Sequence, residues 1–370
     1  MESDKLRRTA LFDLHVERGG RMVPFAGYEM PVRYGAGPVA EHSHTRTAVS
    51  LFDVSHMGIV DLVGPGADLA LEALVPAAVA TLAVQRLRYT MFTNDRGGVI
   101  DDLMVARRGS DSVTVVVNAG NYDLDLAHLR AGLPASIAVL PRRDLSLLAL
   151  QGPLAEVVLS RLAPAVAALS FLDVADVVFE GLTVAVSRSG YTGEDGFELA
   201  VPTGSVVAVA ERLLAEPEVA LAGLAARDSL RLEAGLCLHG HDLDETITPI
   251  EAGLAWTIQA RRRQAGGFPG AEIILAQLAN GAPRQRVGLQ PLGRKPVRDG
   301  STLHDGDGAP IGSVTSGGFS PCLGTPLAMG YLRAGHHAVG TEVSADVRGV
   351  AVACQVIDLP AVAHRYHRAG

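Results

Sequence analysis

The stretch LRYTMFTNDRGGVIDDLMVARRGSDSVTVVVN, Leu87–Asn118, decides how the rest of the chain is read. Leu87–Thr93 has strand-like alternation and then meets Asn94-Asp95-Arg96-Gly97-Gly98, a turn cluster. Val99–Val105 resumes as a strand, which makes a β-hairpin. Arg108-Gly109-Ser110-Asp111 is a second turn, and the Val-rich run Ser112–Asn118 is a third strand. Three strands in a row with short turns form an antiparallel meander, so the expected class is α+β.

Helical patterns flank the meander. Ala67–Leu74 follows Gly64-Pro65-Gly66, and Leu154–Leu162 follows Gly152-Pro153. Proline suits a helix start, where its missing N–H would be unpaired anyway. Each helix follows an apolar strand-like run, Ile59–Val63 or Leu145–Leu150. A strand–Gly–Pro–helix unit therefore occurs twice and hints at two related α+β lobes; a common Gly-Pro junction explains it equally well. Thr183–Ser187 and Phe197–Val201 read as strands around the Gly-rich turn Gly190–Gly196. Gly204–Leu214, Ala226–Ala234 and Ala271–Leu278 carry helical spacing. From Arg284 the texture changes to short strands: Val287–Leu289, Ile311–Thr315, Ala328–Leu332, Glu342–Val347 and Val350–Val356. The expected division is 1–283, two interleaved α+β lobes, and 284–370, a small β-barrel-like domain.

Composition narrows the function. The 370 residues include 32 Lys plus Arg against 40 Asp plus Glu, a net charge of −8 that argues against a nucleic-acid partner. Hydrophobic residues at 48% exclude a disordered chain. Cys237, Cys322 and Cys354 form no CxxC pair, which excludes a disulfide framework or zinc ribbon and favours a reducing, cytoplasmic setting. No run of 18 apolar residues occurs, so no membrane span is expected, and Met1–His15 does not read as a signal peptide.

Three clusters could carry chemistry. Asp101 and Asp102 lie in an apolar strand, where a carboxylate needs a partner or a purpose. Neighbouring strand residues point to opposite faces, so at most one is expected to line a site, the other being solvated. The segment Ser189–Glu198 holds three glycines and ends in a carboxylate able to accept paired hydrogen bonds from an amine and a ring N–H. Its plainer reading is a hairpin with exposed acids. In Ala225–Gly235, Arg227 and Arg231 share a helix face and form a guanidinium fork, or else belong to a surface helix whose ion pairs involve Asp228 and Glu233. The pairs His42-Ser43-His44 and His239-Gly240-His241 lack a third ligand at metal spacing, so no metal is expected. Asp305-Gly306-Asp307-Gly308 is not an EF-hand, because Ser316 stands where its glutamate belongs. Arg261-Arg262-Arg263 reads as a solvated loop or a docking point for an acidic partner. No Walker, GxGxxG or GxSxG motif is present.

Taken together, five stretches resemble the T-protein family of the glycine cleavage system, the aminomethyltransferases. They are Pro24–Pro31, Leu51–Met57, Gly97–Leu103, Gly190–Glu198, and Ala225–Gly235 with Cys237–Gly240, and the resemblance covers roughly residues 8–365. It implies a three-lobed cloverleaf around a channel for tetrahydrofolate, with two α+β lobes of antiparallel sheet and a C-terminal barrel. It also implies transfer of a methylene group from the aminomethyl-dihydrolipoyl arm of the H-protein to tetrahydrofolate, releasing ammonia. Asp101 matches the family's catalytic aspartate. Glu198 and Arg227 match folate contacts, leaving open whether Arg227 meets the pterin or the glutamate tail. Met57, Tyr89, Asn118 and Tyr191 resemble channel-lining positions. Gly324 stands where the family often has a lysine after Ser-Pro-x-Leu, and the tail His364-Arg365-Tyr366-His367 blurs a family aromatic. A tetrahydrofolate-dependent demethylase on the same fold, or a non-catalytic folate-binding relative, is the alternative; the Lys-Gly-Cys-Tyr-x-Gly-Gln motif of the latter is missing.

Overall fold

The protein is described from a computed structural model covering Leu6–Arg368; Met1–Lys5, the beginning of the segment weighed as a signal peptide, lie outside the described residues. The chain opens with β1 (Arg7–Arg8), α1 (Phe12–Glu17), β2 (Arg21–Phe25), β3 (Tyr28–Arg33), α2 (Pro38–Thr47) and β4 (Val49–Asp53). The first lobe follows: β5 (Gly58–Val63), α3 (Ala67–Glu72), β6 (Arg86–Thr93), β7 (Val99–Arg107), β8 (Ser112–Val117), α4 (Tyr122–Gly132) and β9 (Ala138–Pro141). The second adds β10 (Leu145–Gln151), α5 (Ala155–Leu162), β11 (Val174–Phe179), β12 (Leu182–Ser187), β13 (Gly196–Pro202), α6 (Val206–Leu214) and β14 (Val219–Leu221). Three helices, α7 (Leu224–Glu233), α8 (Ala260–Ala265) and α9 (Ala271–Asn280), lead to the last lobe.

The meander is present: β6, β7 and β8 are neighbours in a five-stranded sheet of order β6-β7-β8-β5-β9. Its alternation buries Leu103, Val105, Val113 and Val115 against Leu71, Leu126 and Leu129 of α3 and α4. The second sheet, β11-β12-β13-β10-β4-β14, packs against α5 and α6. Strand β4 belongs to this second sheet although the whole first lobe intervenes before β10, so the lobes interleave along the chain. The antiparallel expectation is corrected at two edges, where β14 joins β4 in parallel and where β1 joins β3 in parallel in the small sheet β1-β3-β2. Strands of two and three residues carry no readable period, which is why these escaped the sequence.

Both strand–Gly–Pro–helix units exist, one per lobe. Gly64 and Gly152 have φ of +151° and +139°, and a Cβ would stand 2.2 Å from the Ser136 carbonyl oxygen and 2.1 Å from that of Ala48. The same backbone device thus turns each strand into its helix at a point where only glycine fits.

From Arg284 six strands close into a barrel: β15 (Arg284–Pro291), β16 (Thr302–His304), β17 (Pro310–Ser320), β18 (Thr325–Arg333), β19 (Glu342–Val347) and β20 (Val350–Ile357). The sixth strand beyond the expected five is the short β16. Asp305 accepts the backbone N–H groups of Asp307 and Ala309, so the acidic Gly-rich motif is the β16–β17 turn. The barrel docks on the lobes through α7, whose Leu232 packs on Leu327 and Met329. The class is therefore mixed α+β, two lobes and a closed barrel.

Candidate active site

The site begins with a local irregularity. Phe92 pairs with Asp101 and Thr93 with Val99, so Ile100 is an extra residue that bulges β7 just before the acid pair. Further on, the pairing of β7 with β8 runs only to Met104 and Val116, and β8 ends at Val117, placing Asn118 beside the acids. The Asn118 Nδ2 donates to Asp101 Oδ1 at 2.9 Å and to Asp102 Oδ1 at 2.9 Å, and its backbone N–H reaches Asp101 Oδ2 at 3.1 Å. Asn121, in the turn before α4, donates to Asp101 Oδ1 at 2.7 Å. His239 Nδ1 lies 2.9 Å from that Asn121 nitrogen and 3.7 Å from Asp101.

The expectation that one of the two acids is solvated holds only in part, since Asp102 is half-buried and hydrogen-bonded rather than free in solvent. Asp101 is 0% exposed, and Asp102 is held by Asn118 and by the Tyr89 hydroxyl at 2.9 Å. Strand alternation still sends the two carboxylates to different faces, but the bulge and the short β8 let one amide reach around the edge to both. Burial, with the Asp101 charge beside it, pushes the Asp102 carboxyl up to about 6. Tyr89 stacks on Trp256, 5.8 Å between centroids, and Trp256 is an exposed aromatic.

A second group forms around Arg227. Its guanidinium lies 4.7 Å from the Tyr191 ring centroid, and its Nη1 is buried without a partner. Burial lowers its pKa, opposed by the charge of Glu198. Glu198, on β13, accepts from Ser189 Oγ at 2.7 Å. The Tyr191 hydroxyl donates to the Cys237 carbonyl. Met57 is half-buried against the cluster that includes Ala149, paired with Glu198, and Ala226, next to Arg227. The two groups are electrostatic neighbours, since Tyr191 feels both Asp102 and Arg227. Asp101, Asn118 and Tyr89 therefore assemble in one cluster, and Glu198, Arg227, Tyr191 and Met57 in the next.

The surface-helix reading of α7 and the exposed-acid reading of the Gly-rich turn both give way to an interior ion network. Arg231 is 3% exposed and pairs with Asp242 at 2.7 Å and with Asp228 at 2.8 Å. Glu233 is 0% exposed and meets neither Arg227 nor Arg231 at ion-pair distance; it takes Arg46 at 2.8 Å and His42 at 3.0 Å. Arg46 also holds Glu194, 1% exposed, at 2.9 Å. These partners are 148 and 187 residues apart, so no local signal announces them. His42, Glu233 and Cys322 bring three ligand-type atoms together, but Glu233 is already taken up by Arg46, Ser320 and the Cys322 N–H. The arginine run is a short helix tied inward: Arg261 pairs with Glu72, Arg262 donates to the Glu72 and Val75 carbonyls, and Arg263 to that of Ile258.

Sequence reading missed Asn121, His239 and Trp256 as neighbours of the acids, and Asp125 behind them. For Asp125 a signal existed. On α4 it shares a face with Tyr122, Leu126 and Leu129, all buried, and an acid on an apolar helix face is out of place.

Comparison with known proteins addresses the family and the fold. Residues 11–262 match the GCVT N-terminal domain, and residues 284–362 the glycine cleavage T-protein C-terminal barrel domain. A mitochondrial aminomethyltransferase from Gallus gallus is 46% identical over 374 residues, 98% of this chain and 94% of that one. One from Pisum sativum is 45% identical over 373 residues, 98% of this chain and 91% of that one. The crystal structure of glycine cleavage system aminomethyltransferase T from Bartonella henselae superposes with a TM-score of 0.93 at 41% identity, covering 98% of this chain and all of the other. These curated relatives carry mitochondrial names, so they lend the cytoplasmic expectation no support. Among the described residues no helix is long and apolar enough to cross a membrane. The chain belongs to the glycine cleavage T-protein family, the aminomethyltransferases.

Proposed function

We propose that this site transfers the methylene group of an aminomethyl-dihydrolipoyl arm, carried by the H-protein, to tetrahydrofolate, with release of ammonia. Tetrahydrofolate, when bound, supplies the amine nitrogens that take up the one-carbon unit. The residues suit such a co-substrate: Arg227 Nη1 and His239 Nε2 are buried and unpartnered, and Glu198 offers a carboxylate near Arg227. Glu198 accepts from the donor edge of the pterin, and Arg227 donates to an oxygen. The buried Arg227 Nη1, stacked on the Tyr191 ring with Glu198 near it, supports the pterin rather than the glutamate tail as the Arg227 contact. Tyr191, Tyr89 and Met57 flank the flat ring, and Asn118 orients Asp101.

One observation carries the chemistry. Asp101 is fully buried, yet among the described residues it is held by amide donors and has no Arg or Lys partner. Its oxygens are thus oriented by neutral amides rather than locked into an arginine or lysine ion pair. It can accept an N–H from the reacting amine, hold the proton, and stabilise the iminium-like cation formed as ammonia leaves. The same reading divides the chain into a folate-binding region, 1–283, and a barrel, 284–370; the start of β15 at Arg284 supports it.

The test is a coupled assay with aminomethylated H-protein and tetrahydrofolate. The reading requires ammonia release that depends on both substrates. Folate binding without such turnover would move the function to a demethylase or a binding protein on this fold.

A further inference from the structure

Behind Asp101, on the side of α4, lies a group the mechanism above does not use. Asp125 is 0% exposed, and both its carboxylate oxygens lack any hydrogen-bond donor from the protein. A buried carboxylate anion without donors is one of the costliest groups a fold can contain. It stands one turn along α4 from Asn121, whose amide donates to Asp101 at 2.7 Å, so Asp101 is the acid beside it. Asp101, in contrast, collects the Asn118 side-chain amide, the Asn118 backbone N–H and the Asn121 amide. The two acids therefore differ in one respect that decides which ionises: all the donors point at Asp101.

We propose that Asp125 is a positioning residue that keeps one proton between itself and Asp101 and donates it as a hydrogen bond, so that Asp101 meets the substrate amine as the anion. This inference rests on the proposed aminomethyl transfer. Two carboxyl groups in contact in a dry site cannot both ionise at neutral pH. The proton resides on the member without other donors, and its O–H satisfies an otherwise orphaned buried group. The charged and titratable groups around Asp125 agree. Asp101 and Asp102 on β7 oppose its ionisation; His239 approaches the pair from the segment after α7, and His128 lies one turn along α4. Among the described residues no arginine or lysine pairs with either Asp125 or Asp101. Burial first, then the hydrogen bond with Asp101 and the charges of both neighbours, push the Asp125 carboxyl up to about 9.

The experiment is the pH dependence of kcat for wild-type protein, Asp125→Asn and Asp125→Ala, with folate affinity measured alongside. The alanine variant loses the donor, and kcat falls about tenfold or more, within the range of positioned acid–base groups. The asparagine variant restores a donor that cannot titrate, so it recovers most of that loss. It also lacks the alkaline fall in kcat that wild type shows as Asp125 ionises. A structural role would lower both variants together and leave the alkaline limb in place, which overturns the proposal. So does an alanine variant equal to wild type at every pH. If Asp125→Ala does not fold, the limb in Asp125→Asn alone decides. Wild-type protein inactive with both substrates at every pH would sink the functional reading itself, and this inference with it.

Discussion

Asn118 grips Asp101 at both oxygens, with its side-chain Nδ2 2.9 Å from Oδ1 and its backbone N–H 3.1 Å from Oδ2. A two-point hold fixes the plane of a carboxylate as well as its position. Removing the side-chain half should misorient Asp101 without unfolding the lobe. In Asn118→Ala the kcat should fall about 10- to 100-fold, the worth of a hydrogen bond to a charged group. Steady-state kinetics with circular dichroism as a fold control checks this; an unchanged kcat means the grip is idle.

Arg227 carries an unsatisfied donor in the folded protein. Its buried Nη1 has no protein partner. Arg227→Met should therefore weaken tetrahydrofolate binding by about 100-fold while leaving Tm equal or higher, because an unsatisfied buried cation is removed. Glu198→Gln should weaken binding by about tenfold or more. Titration calorimetry and thermal melts read both quantities, and intact affinity in the two variants would take these residues out of the site.

Glu233 is the knot between α2, α7 and the barrel. Burial alone would raise its pKa, but the hydrogen bonds of His42 and Ser320, together with the charge of His42, bring it down to about 2. A depressed carboxylate contributes stability that is present above the unfolded value of about 4.5 and is lost as pH falls from there toward 2. Glu233→Ala should cost about 3 kcal/mol at pH 7 and far less at pH 3, measured by denaturant unfolding. Equal losses at both pH values would show that the pairing contributes nothing.

Asp102 has the opposite sign. Its folded value, about 6, lies above the unfolded value near 3.8 because of burial and Asp101. Ionising it therefore costs stability, a cost absent below about pH 4 and complete above about pH 6. Asp102→Asn should raise the unfolding free energy by about 2 kcal/mol at pH 7.5 and by little at pH 4. A variant that is no more stable at pH 7.5 would contradict the strained acid pair.

What the sequence discloses follows from range. The meander was legible because strand alternation and turn chemistry are local, and the barrel because its turns recur at short intervals. Asp101 stood out as a charge in an apolar strand. The Ile100 bulge, which lets Asn118 reach both acids, leaves no mark in composition. The Arg46–Glu233–His42 network joins residues far apart in the chain, and Arg231, four residues from Arg227 on the same helix, proved to serve the barrel contact through Asp242 and Ser316. The histidine pairs divide in the same way: His239 reaches the acids, while His241 pairs with exposed Asp299. Only the fold decides which member of such a pair is functional.

The central claim is that the buried, amide-held Asp101 carboxylate does the chemistry while the folate contacts lie elsewhere. Asp101→Asn separates the two in one preparation, with ammonia release from aminomethylated H-protein measured beside tetrahydrofolate affinity. The account predicts turnover lower by about 100-fold or more, with affinity within a few-fold of wild type. Full turnover in Asp101→Asn, or loss of activity explained wholly by lost folate binding, would contradict it.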